Sequence, residues 1–419
     1  MIDGAVRLGV RALLARLRRG RLTLVEGDRR TVYGAGHPSA TVVVHSPAAY
    51  RGLLRGGLGL AEAYVDGDWD TPDLAAVLRL AARHAGWVDA VRVRCSPAVE
   101  PLRRARAVLA PTNTREGSRR DIAAHYDLGN GLFEEMLDPT MMYSGALFEG
   151  RQTTLQEAQL AKLERVCAKV DLGPGDHVLE IGTGWGGFAL YAAATRGCRV
   201  TTTTLSREQH KLATARVRAA GLQDRVTVLL NDYRELRGRY DKLVSIEMIE
   251  AVGWRQFGTF FDRCSRLLAP DGAMLLQAIT VDDRLFDVEK ASRTFIRTHV
   301  FPHGALPSLA VIAREVARRT DMRMVALEDL TPHYAETLRR WRANVQAAAP
   351  RLAPLGYDER FQRLWQLYLC WCEAGFEERR IASTQLTLAK PGWRGHEPAL
   401  DAEDRDARSQ PSRLRVAQT

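Results

Sequence analysis

The chain of 419 residues contains little cysteine and no long apolar segment. Its six cysteines lack the spacing of zinc ligands, which argues against a zinc site and favours reduced thiols in the cytoplasm. No apolar run approaches the roughly 20 residues that a membrane span requires. The N-terminus has neither an unbroken apolar h-region nor a small-residue cleavage site, so it is not interpreted as a signal peptide. Any membrane contact is therefore expected to be peripheral, at the inner face.

Positive charge is in excess, since 60 Lys and Arg face 50 Asp and Glu, for a formal net charge of +10. This balance favours an anionic partner, which from composition alone is a nucleic acid, an anionic lipid surface or a phosphorylated substrate. The hydrophobic fraction of 46% and the charged fraction of 26% exclude global disorder, collagen and coiled coil. Residues 2–20 can form a basic amphipathic helix, which either docks on the first domain or contacts anionic headgroups.

The chain divides into four predicted segments. Residues 1–105 are interpreted as a small α+β domain suited to membrane or lipid contact, 106–124 as a basic linker, 125–392 as the main domain and 393–419 as a disordered tail. In the main domain, apolar strands alternate with helices, which predicts βαβ units and a doubly wound parallel sheet. Residues 282–380 are expected to be helical and rich in aromatic side chains, and the segment IASTQLTLAK to form a final strand.

A glycine-rich turn follows the first strong strand of the main domain. The turn, EIGTGWGG, lets the backbone approach a nucleoside closely. A strand that ends in an acid, followed by GxGxG and a helix, is typical of class I methyltransferases that bind S-adenosylmethionine. A tight strand–helix turn without a ligand is the alternative. The predicted cofactor contacts in this turn are Glu180, Gly182, Thr183, Gly184 and Gly186.

Two further strand ends complete the predicted cofactor site. The second strand ends in TTTTLS, without the acid that many such proteins place there to hold the ribose, so Thr204, Leu205 and Gln209 are expected to substitute for it. The third strand ends in NDY. There Asp232 can accept a hydrogen bond from the adenine amino group, with Tyr233 beside it, and a helix cap is the alternative interpretation.

The chain resembles the cyclopropane-fatty-acyl-phospholipid synthases, which include the mycolic acid cyclopropane synthases, in five motifs: HYDLGNGLFEEMLDPTMMYSGALFEG, VLEIGTGWGGFALYAA, SIEMIEAVG, FIRTHVFPHGALPS and HYAETLRRW. The resemblance spans roughly residues 50–390. It implies an α/β fold, a doubly wound Rossmann-like class I methyltransferase sheet with a helical acyl-binding insertion and a small N-terminal α+β domain.

The resemblance also implies a reaction. A methyl(ene) group would pass from S-adenosylmethionine to a double bond in the acyl chain of an unsaturated phospholipid. An alkene is a poor nucleophile, so the methyl must be held close and in line, and the carbocation that results needs a dry site with anions or aromatic faces. Proton loss from the new methyl gives a cyclopropane. Proton loss that forms an alkene instead, such as a methylene branch, gives a product that a partner reductase could saturate.

In the family a bound bicarbonate takes that proton, and the resemblance assigns residues to the anion. Glu250 would hold it, Tyr334 would contact it, and Ile279 would contribute its backbone carbonyl. Gln277 and Gly145 stand where many members have His and Cys. The Gln amide can donate one hydrogen bond but cannot shuttle a proton, so the departures leave the identity of the product open.

Two other groups are assigned by the same resemblance. Tyr143 and Ser144 match residues near the methionine end of the cofactor. A polar cluster would close over the cofactor as a lid, and capping of local turns is the alternative for two of its members. The cluster consists of His125, Tyr126, Asp127 and Asn130.

Two other functions use the same features. One is a methyltransferase of a soluble small molecule, which the fold alone would allow. The other is a silent lipid- or cofactor-binding protein, suggested only by Gly145 and Gln277. A nucleic-acid substrate is not expected, because the catalytic motifs of the NPPY and ProCys types are missing, and no metal is expected. Self-association is a weak expectation from the resemblance.

Overall fold

The computed structural model describes residues 2–86, 88–95, 129–150, 152–290, 292–302 and 304–395. The predicted basic linker lies outside the described residues. So do the lid residues His125, Tyr126 and Asp127, and all of the predicted tail after residue 395. The structure therefore bears on the lid only through Asn130.

The N-terminal part forms a small sheet that packs with helices. The strand order is β2-β1-β3-β4, with β1 antiparallel to β2 and parallel to β3. Because β2 is largely exposed, its sequence RRTVYGA shows little of the apolar alternation that marks a buried strand. The elements are α1 (Ile2–Leu14), β1 (Gly20–Glu26), β2 (Arg29–Ala35), β3 (Ser39–Val44), α2 (Ala48–Leu54), α3 (Gly56–Val65), β4 (Trp69–Asp70) and α4 (Leu74–His84).

The main part contains a seven-stranded sheet in the order β10-β11-β9-β8-β5-β6-β7. Strands β5 to β9 are parallel to their neighbours among themselves, whereas β11 is antiparallel to both β9 and β10. The predicted α/β, doubly wound class is confirmed. The strands are β5 (His177–Ile181), β6 (Arg199–Thr203), β7 (Val226–Leu229), β8 (Tyr240–Ile246), β9 (Leu268–Val281), β10 (Arg323–Asp329) and β11 (Ile381–Ala389).

Helices cover the sheet and form a separate layer beside it. The expectation that residues 282–380 are helical is wrong at β10, an edge strand with mostly exposed side chains. The helices are α5 (Asn130–Met136), α6 (Leu155–Lys169), α7 (Gly187–Arg196), α8 (Arg207–Ala219), α9 (Ile249–Val252), α10 (Phe257–Leu267), α11 (Phe286–Glu289), α12 (Phe295–His299), α13 (Leu309–Arg319), α14 (Thr331–Leu352) and α15 (Glu359–Glu377). No helix in the described ranges is long and apolar enough to cross a bilayer.

Helix α15 joins the N-terminal part to the rest of the molecule. It packs on α14 on one side and on α3 and α4 on the other. Arg363 donates to the carbonyl of Tyr64 at 2.7 Å, and its guanidinium lies 4.2 Å from the centre of the Tyr64 ring. Arg83 and Glu378 form an ion pair at 2.7 Å. These contacts fix the small sheet over the helical layer, and one apolar core runs through both.

Candidate active site

The glycine turn joins β5 to α7. Gly182, Gly184 and Gly186 have φ angles of 105°, 52° and 88°, which glycine adopts without the strain of a side chain. A Cβ on Gly182 would lie 3.1 Å from Cβ of Met248, whereas a Cβ on Gly184 would meet nothing within 4 Å. The turn is therefore closed towards Met248 and open at Gly184, where a ligand can approach the backbone.

Glu180, the last residue but one of β5, has one carboxyl oxygen without a hydrogen bond to any described residue. Oε2 of Glu180 is buried and has no hydrogen-bond partner among the described residues, and burial raises the pKa of this carboxyl to about 8. Thr183 ties the turn to β6, because its N–H donates to the carbonyl of Thr203 at 3.0 Å and its hydroxyl lies 2.7 Å from that of Thr202. A buried acceptor beside an open glycine turn fits S-adenosylmethionine, whose hydroxyl and ammonium groups supply donors.

The residues expected to replace the missing acid lie at the end of β6. The hydroxyl of Thr204 donates to Oε1 of Gln209 at 2.8 Å, and Ser206 caps α8 by accepting the N–H of Gln209 at 3.2 Å. Leu205, between them, is half-buried. The structure thus brings Thr204 and Gln209 together at the carboxyl ends of the parallel strands, and their contact with the cofactor stays a prediction.

The end of β7 favours the alternative interpretation. Asp232 caps the short 3₁₀ helix that follows, accepting the N–H of Arg234 at 2.9 Å and its guanidinium at 2.8 and 2.6 Å. The ring of Tyr233 packs against Phe260 in the core, with ring centres 5.7 Å apart. The Tyr233 ring therefore belongs to the core, and the contacts of Asp232 and Tyr233 with the cofactor stay predictions.

One lid residue contacts the glycine turn. Oδ1 of Asn130 accepts a hydrogen bond from Nε1 of Trp185 at 3.0 Å, and Trp185 directly follows Gly184. The indole is buried and packs on Phe133, with ring centres 4.6 Å apart. The start of α5 therefore lies against the predicted cofactor turn.

The MYSG segment after α5 leads to a buried lysine that the sequence analysis did not single out. Oγ of Ser144 accepts from Nζ of Lys162 at 2.8 Å, and the hydroxyl of Tyr143 lies 2.8 Å from that of Tyr368. Burial lowers the pKa of Lys162 to about 8, although Glu247 and other acids oppose the shift. This lysine is a cation held within a group of buried carboxylates.

Glu247 is the residue at which the predicted anion site converges. Its Oε1 accepts the backbone N–H of Gly145 at 2.9 Å and Nε2 of Gln277 at 2.8 Å, and its Oε2 accepts the hydroxyl of Tyr334 at 2.5 Å. Its φ of 49° lies in the left-handed region, which is strained for a residue with a side chain. Burial holds the pKa of Glu247 above its usual value, although the three donors and Lys162 oppose this shift.

A chain of polar side chains fixes the orientation of Gln277. Lys169 donates to Oε1 of Gln385 at 2.7 Å, and Nε2 of Gln385 donates to Oε1 of Gln277 at 3.0 Å. Because an ammonium can only donate, both amides are oriented, and Nε2 of Gln277 must face Glu247.

Glu250 lies three residues after Glu247, in the short helix α9. Its Oε1 accepts the backbone N–H of Ile279 at 2.6 Å, whereas its Oε2 is buried without a hydrogen-bond partner among the described residues. Burial, followed by the charge of Glu247, raises the pKa of Glu250 to about 8. Glu250 thus accepts one hydrogen bond where Glu247 accepts three.

A cavity of about 1800 Å³ begins at these residues. Glu247, Glu250, Tyr143, Tyr334 and Ile279 line it, together with apolar side chains of the small sheet and the helical layer. The same cavity is lined by the exposed Arg16, Arg18 and Arg19, which follow α1, so it connects the buried carboxylates with the surface. Its other apolar lining includes Leu14, Leu22, Val42, Leu60, Leu338 and Trp371.

The residues present do not fit a bicarbonate at the position that the resemblance implies. The three donors available there, from Gly145, Gln277 and Tyr334, are all bound to the Glu247 carboxylate. A Cβ on Gly145 would also lie 2.9 Å from Cδ1 of Tyr334, so the side chain that many members carry here has no room. Within the described part of the chain, no group of three His, Cys, Asp or Glu is placed to hold a metal ion.

Comparisons with known proteins agree with this architecture. The family model described as mycolic acid cyclopropane synthetase matches residues 113–386. The chain is 41% identical over 381 residues to a tuberculostearic acid methyltransferase of Mycobacterium tuberculosis, covering 88% of each chain. It is 36% identical over 359 residues to the cyclopropane-fatty-acyl-phospholipid synthase of Escherichia coli, covering 85% of this chain and 89% of the relative.

Solved structures show the same fold. The cyclopropane synthase MmaA2 from Mycobacterium tuberculosis is 32% identical with a TM-score of 0.61, over 65% of this chain and 98% of that one. A mycolic acid cyclopropane synthase complexed with SAH and CTAB gives the same values.

The fold and the glycine turn define a class I S-adenosylmethionine-dependent methyltransferase. More narrowly, the chain belongs to the mycolic acid cyclopropane synthetase family, whose members modify lipids. The resemblance, the fold class and the enzyme class expected from the sequence are confirmed, as is S-adenosylmethionine as the cofactor.

Proposed function

We propose that this enzyme transfers a methyl(ene) group from S-adenosylmethionine to the double bond of an unsaturated phospholipid acyl chain. The observation that carries the proposal is the cavity, which connects buried Glu247 and Glu250 with the surface through an apolar interior. Its volume of about 1800 Å³ exceeds the roughly 300–1,000 Å³ of common small-molecule sites. A long apolar ligand therefore fits better than a soluble small molecule.

The charges around the cavity support a phospholipid substrate. Arg16, Arg18, Arg19 and Arg293 line the cavity, are exposed, and have no ion pair among the described residues. By contrast, Arg92, which also lines it, is paired with Glu289 at 2.7 Å. Unpaired guanidinium groups beside an apolar cavity suit a phosphate headgroup whose acyl chain extends inward.

The surroundings of the carboxylates suit carbocation chemistry. When bound, S-adenosylmethionine supplies an electrophilic methyl group. The rings of Tyr143, Tyr334 and Tyr368 line the cavity beside Glu247 and can stabilise a nearby cation through their π faces. The lining of the cavity beside these residues is largely apolar, so the electrostatic interactions there are screened less than in water.

The test is incubation of the purified enzyme with methyl-labelled S-adenosylmethionine and vesicles of dioleoyl phospholipids, followed by mass spectrometry of the lipids. We expect label in the unsaturated acyl chains, with a gain of CH₂. Loss of the olefin identifies a cyclopropane, and its retention identifies a methylene branch, which a partner reductase would reduce. Vesicles of saturated phospholipid are the control and should take up no label.

Two outcomes would contradict the proposal. Label that appears only in soluble small molecules, without vesicles, would favour the alternative methyltransferase. Binding of S-adenosylhomocysteine without label in any lipid would favour a silent homologue. Parallel assays with phosphatidylglycerol and phosphatidylcholine test the headgroup, and the four arginines predict faster transfer to the anionic lipid. Cytoplasmic location with peripheral membrane contact belongs to the same proposal.

A further inference from the structure

We propose that the carboxylate of Glu247, and not a bound bicarbonate, removes the proton from the carbocation; this inference rests on the proposed function. The donors that would hold a bicarbonate are the backbone N–H of Gly145, the amide of Gln277 and the hydroxyl of Tyr334. All three bind Glu247, at 2.9, 2.8 and 2.5 Å. The side chain thus places a carboxylate, chemically close to bicarbonate, in the anion site.

The backbone of this chain is arranged for that substitution. Glu247 follows β8 in the left-handed conformation, with its N–H donated to the carbonyl of Gln277 at 2.8 Å. A left-handed conformation is strained at a non-glycine residue, and it persists where the surrounding contacts over-determine it. Here the three hydrogen bonds of the carboxylate supply those contacts and aim the side chain into the site.

The two departures from the common family residues also fit this arrangement. Without a side chain at Gly145, the Tyr334 ring can approach, since a Cβ there would lie 2.9 Å from the ring. Gln277 is held by Gln385 so that its N–H₂ faces the carboxylate, and a neutral amide donor does not compete for the proton. Neither departure impairs deprotonation when the base is a side chain of the protein.

The charge distribution assigns the basic role to Glu247 rather than to Glu250. Glu247 accepts three hydrogen bonds, two of them from N–H groups on the same oxygen, which favours its ionised form. Glu250 accepts one, keeps an unpaired buried oxygen, and has its pKa raised by burial and by Glu247. Lys162, buried within the same group of acids, adds a compensating positive charge.

The step balances without another reagent. The π pair of the olefin forms a C–C bond to the sulfonium methyl, and the C–S bond breaks with its electrons kept by sulfur. The Glu247 carboxylate then takes a proton either from the newly added methyl group or from a carbon bonded directly to the cationic carbon. In the first case the electrons of the C–H bond form the third C–C bond of the cyclopropane, and in the second case they form a new C=C bond. Glu247 is left as a neutral acid, and it loses its proton to solvent after the product leaves.

The first experiment measures lipid methylation by the full chain in buffer freed of carbon dioxide, with and without added bicarbonate. We expect the wild type to be equally active in both, Glu247→Gln to lose at least about 100-fold, and Glu247→Ala to regain part of its activity when bicarbonate is added. Glu149→Gln, the same change at an exposed site, is the control. A wild type that needs bicarbonate, or an active Glu247→Gln, would overturn the proposal.

A second measurement does not depend on turnover and separates this inference from the proposed function. Binding of isotopically labelled bicarbonate is followed by NMR in the presence of S-adenosylhomocysteine. We expect none with the wild type and saturable binding to Glu247→Ala, where the three donors are released. Equal binding to both proteins would refute the replacement of bicarbonate. Failure of the wild type to label any lipid, with this binding pattern intact, would refute only the proposed substrate.

Discussion

The Tyr334 ring lies directly against the backbone of Gly145, so closely that an added Cβ would be 2.9 Å from Cδ1 and 3.1 Å from Cγ. Both residues also donate to the Glu247 carboxylate, through a hydroxyl and a backbone N–H. The packing of these two residues and the geometry of the acid are therefore coupled.

Gly145→Ala should displace Tyr334 from Glu247. Overpacking in a buried site costs about 1–3 kcal/mol, so we expect a lower free energy of unfolding together with a loss of methyl transfer of tenfold or more. Chemical denaturation and the lipid assay measure the two effects. Gly175→Ala is the matched control, because its Cβ would meet nothing within 4 Å. Equal behaviour of the two variants would show that the contact is unimportant.

Tyr334→Phe keeps the ring and removes the hydroxyl that binds Glu247. A hydrogen bond to a charged group is worth about 1.5–3 kcal/mol, so kcat should fall about 10- to 100-fold. The acid limb of the pH–rate profile should move to higher pH, because the ionised carboxylate loses a donor. Tyr33→Phe in the small sheet is the control. An unshifted profile would mean that the hydroxyl has only a structural role.

Glu250 should make the stability of the protein fall as the pH rises. Its pKa is raised from 4.5 to about 8, so between these values the folded state keeps a proton that the unfolded state has lost. Each unit of pKa is worth about 1.4 kcal/mol, so the loss amounts to a few kcal/mol between pH 5 and pH 8.

Glu250→Gln has an amide in place of the carboxyl, and this amide does not titrate. Denaturation at several pH values should therefore show the variant gaining stability relative to the wild type as the pH rises. Burial also raises the pKa of Glu180, so Glu180→Gln should remove a further part of the loss of stability with rising pH. Parallel curves for the wild type and Glu250→Gln would contradict the assignment.

Gly184→Ala should weaken cofactor binding more than it weakens the fold. The added Cβ meets nothing in the protein, yet it enters the open side of the turn and imposes a φ of 52° on a residue with a side chain. We expect the Kd for S-adenosylhomocysteine to rise about tenfold or more by calorimetry, with Gly175→Ala unchanged. An unaltered Kd would remove the turn from the cofactor site.

Leu8→Asp should reduce membrane binding. Leu8 on α1 is 70% exposed, and its burial in a lipid interface would contribute up to about 2 kcal/mol. We expect at least a tenfold lower partition onto anionic vesicles in flotation assays, with cofactor binding retained. Leu355→Asp is the control, because Leu355 is a leucine of similar exposure, 61%, that lies far from α1 in the sequence. The same loss in both variants would count against a specific role of α1.

The alternation of strands and helices and the glycine turn could be predicted because local signals specify them. Gly182, Gly184 and Gly186 stand at fixed spacing after an apolar strand, and positive φ angles follow from that turn. At the end of β7, by contrast, the same three letters allow a cap or a cofactor contact. The tertiary structure shows the cap, in which Arg234 approaches Asp232 with two nitrogens, and the packing of Tyr233 in the core, whereas the cofactor contact stays a prediction.

The amino-acid sequence by itself determined the family, the sheet and the cofactor class, since these depend on short motifs in a fixed order. It did not reveal Glu247, which stands three residues before the expected acid with no pattern of its own. The tertiary structure identified this residue because its partners are 102, 30 and 87 positions away along the chain. These partners meet Glu247 because β8 and β9 are neighbours in the sheet and α14 packs near their ends, and no local periodicity in the sequence encodes that arrangement. One signal in the sequence could have indicated the role of Glu247. Gly145 and Gln277 together replace the common Cys and His, and Glu247 is an additional acid in the same motif as Glu250.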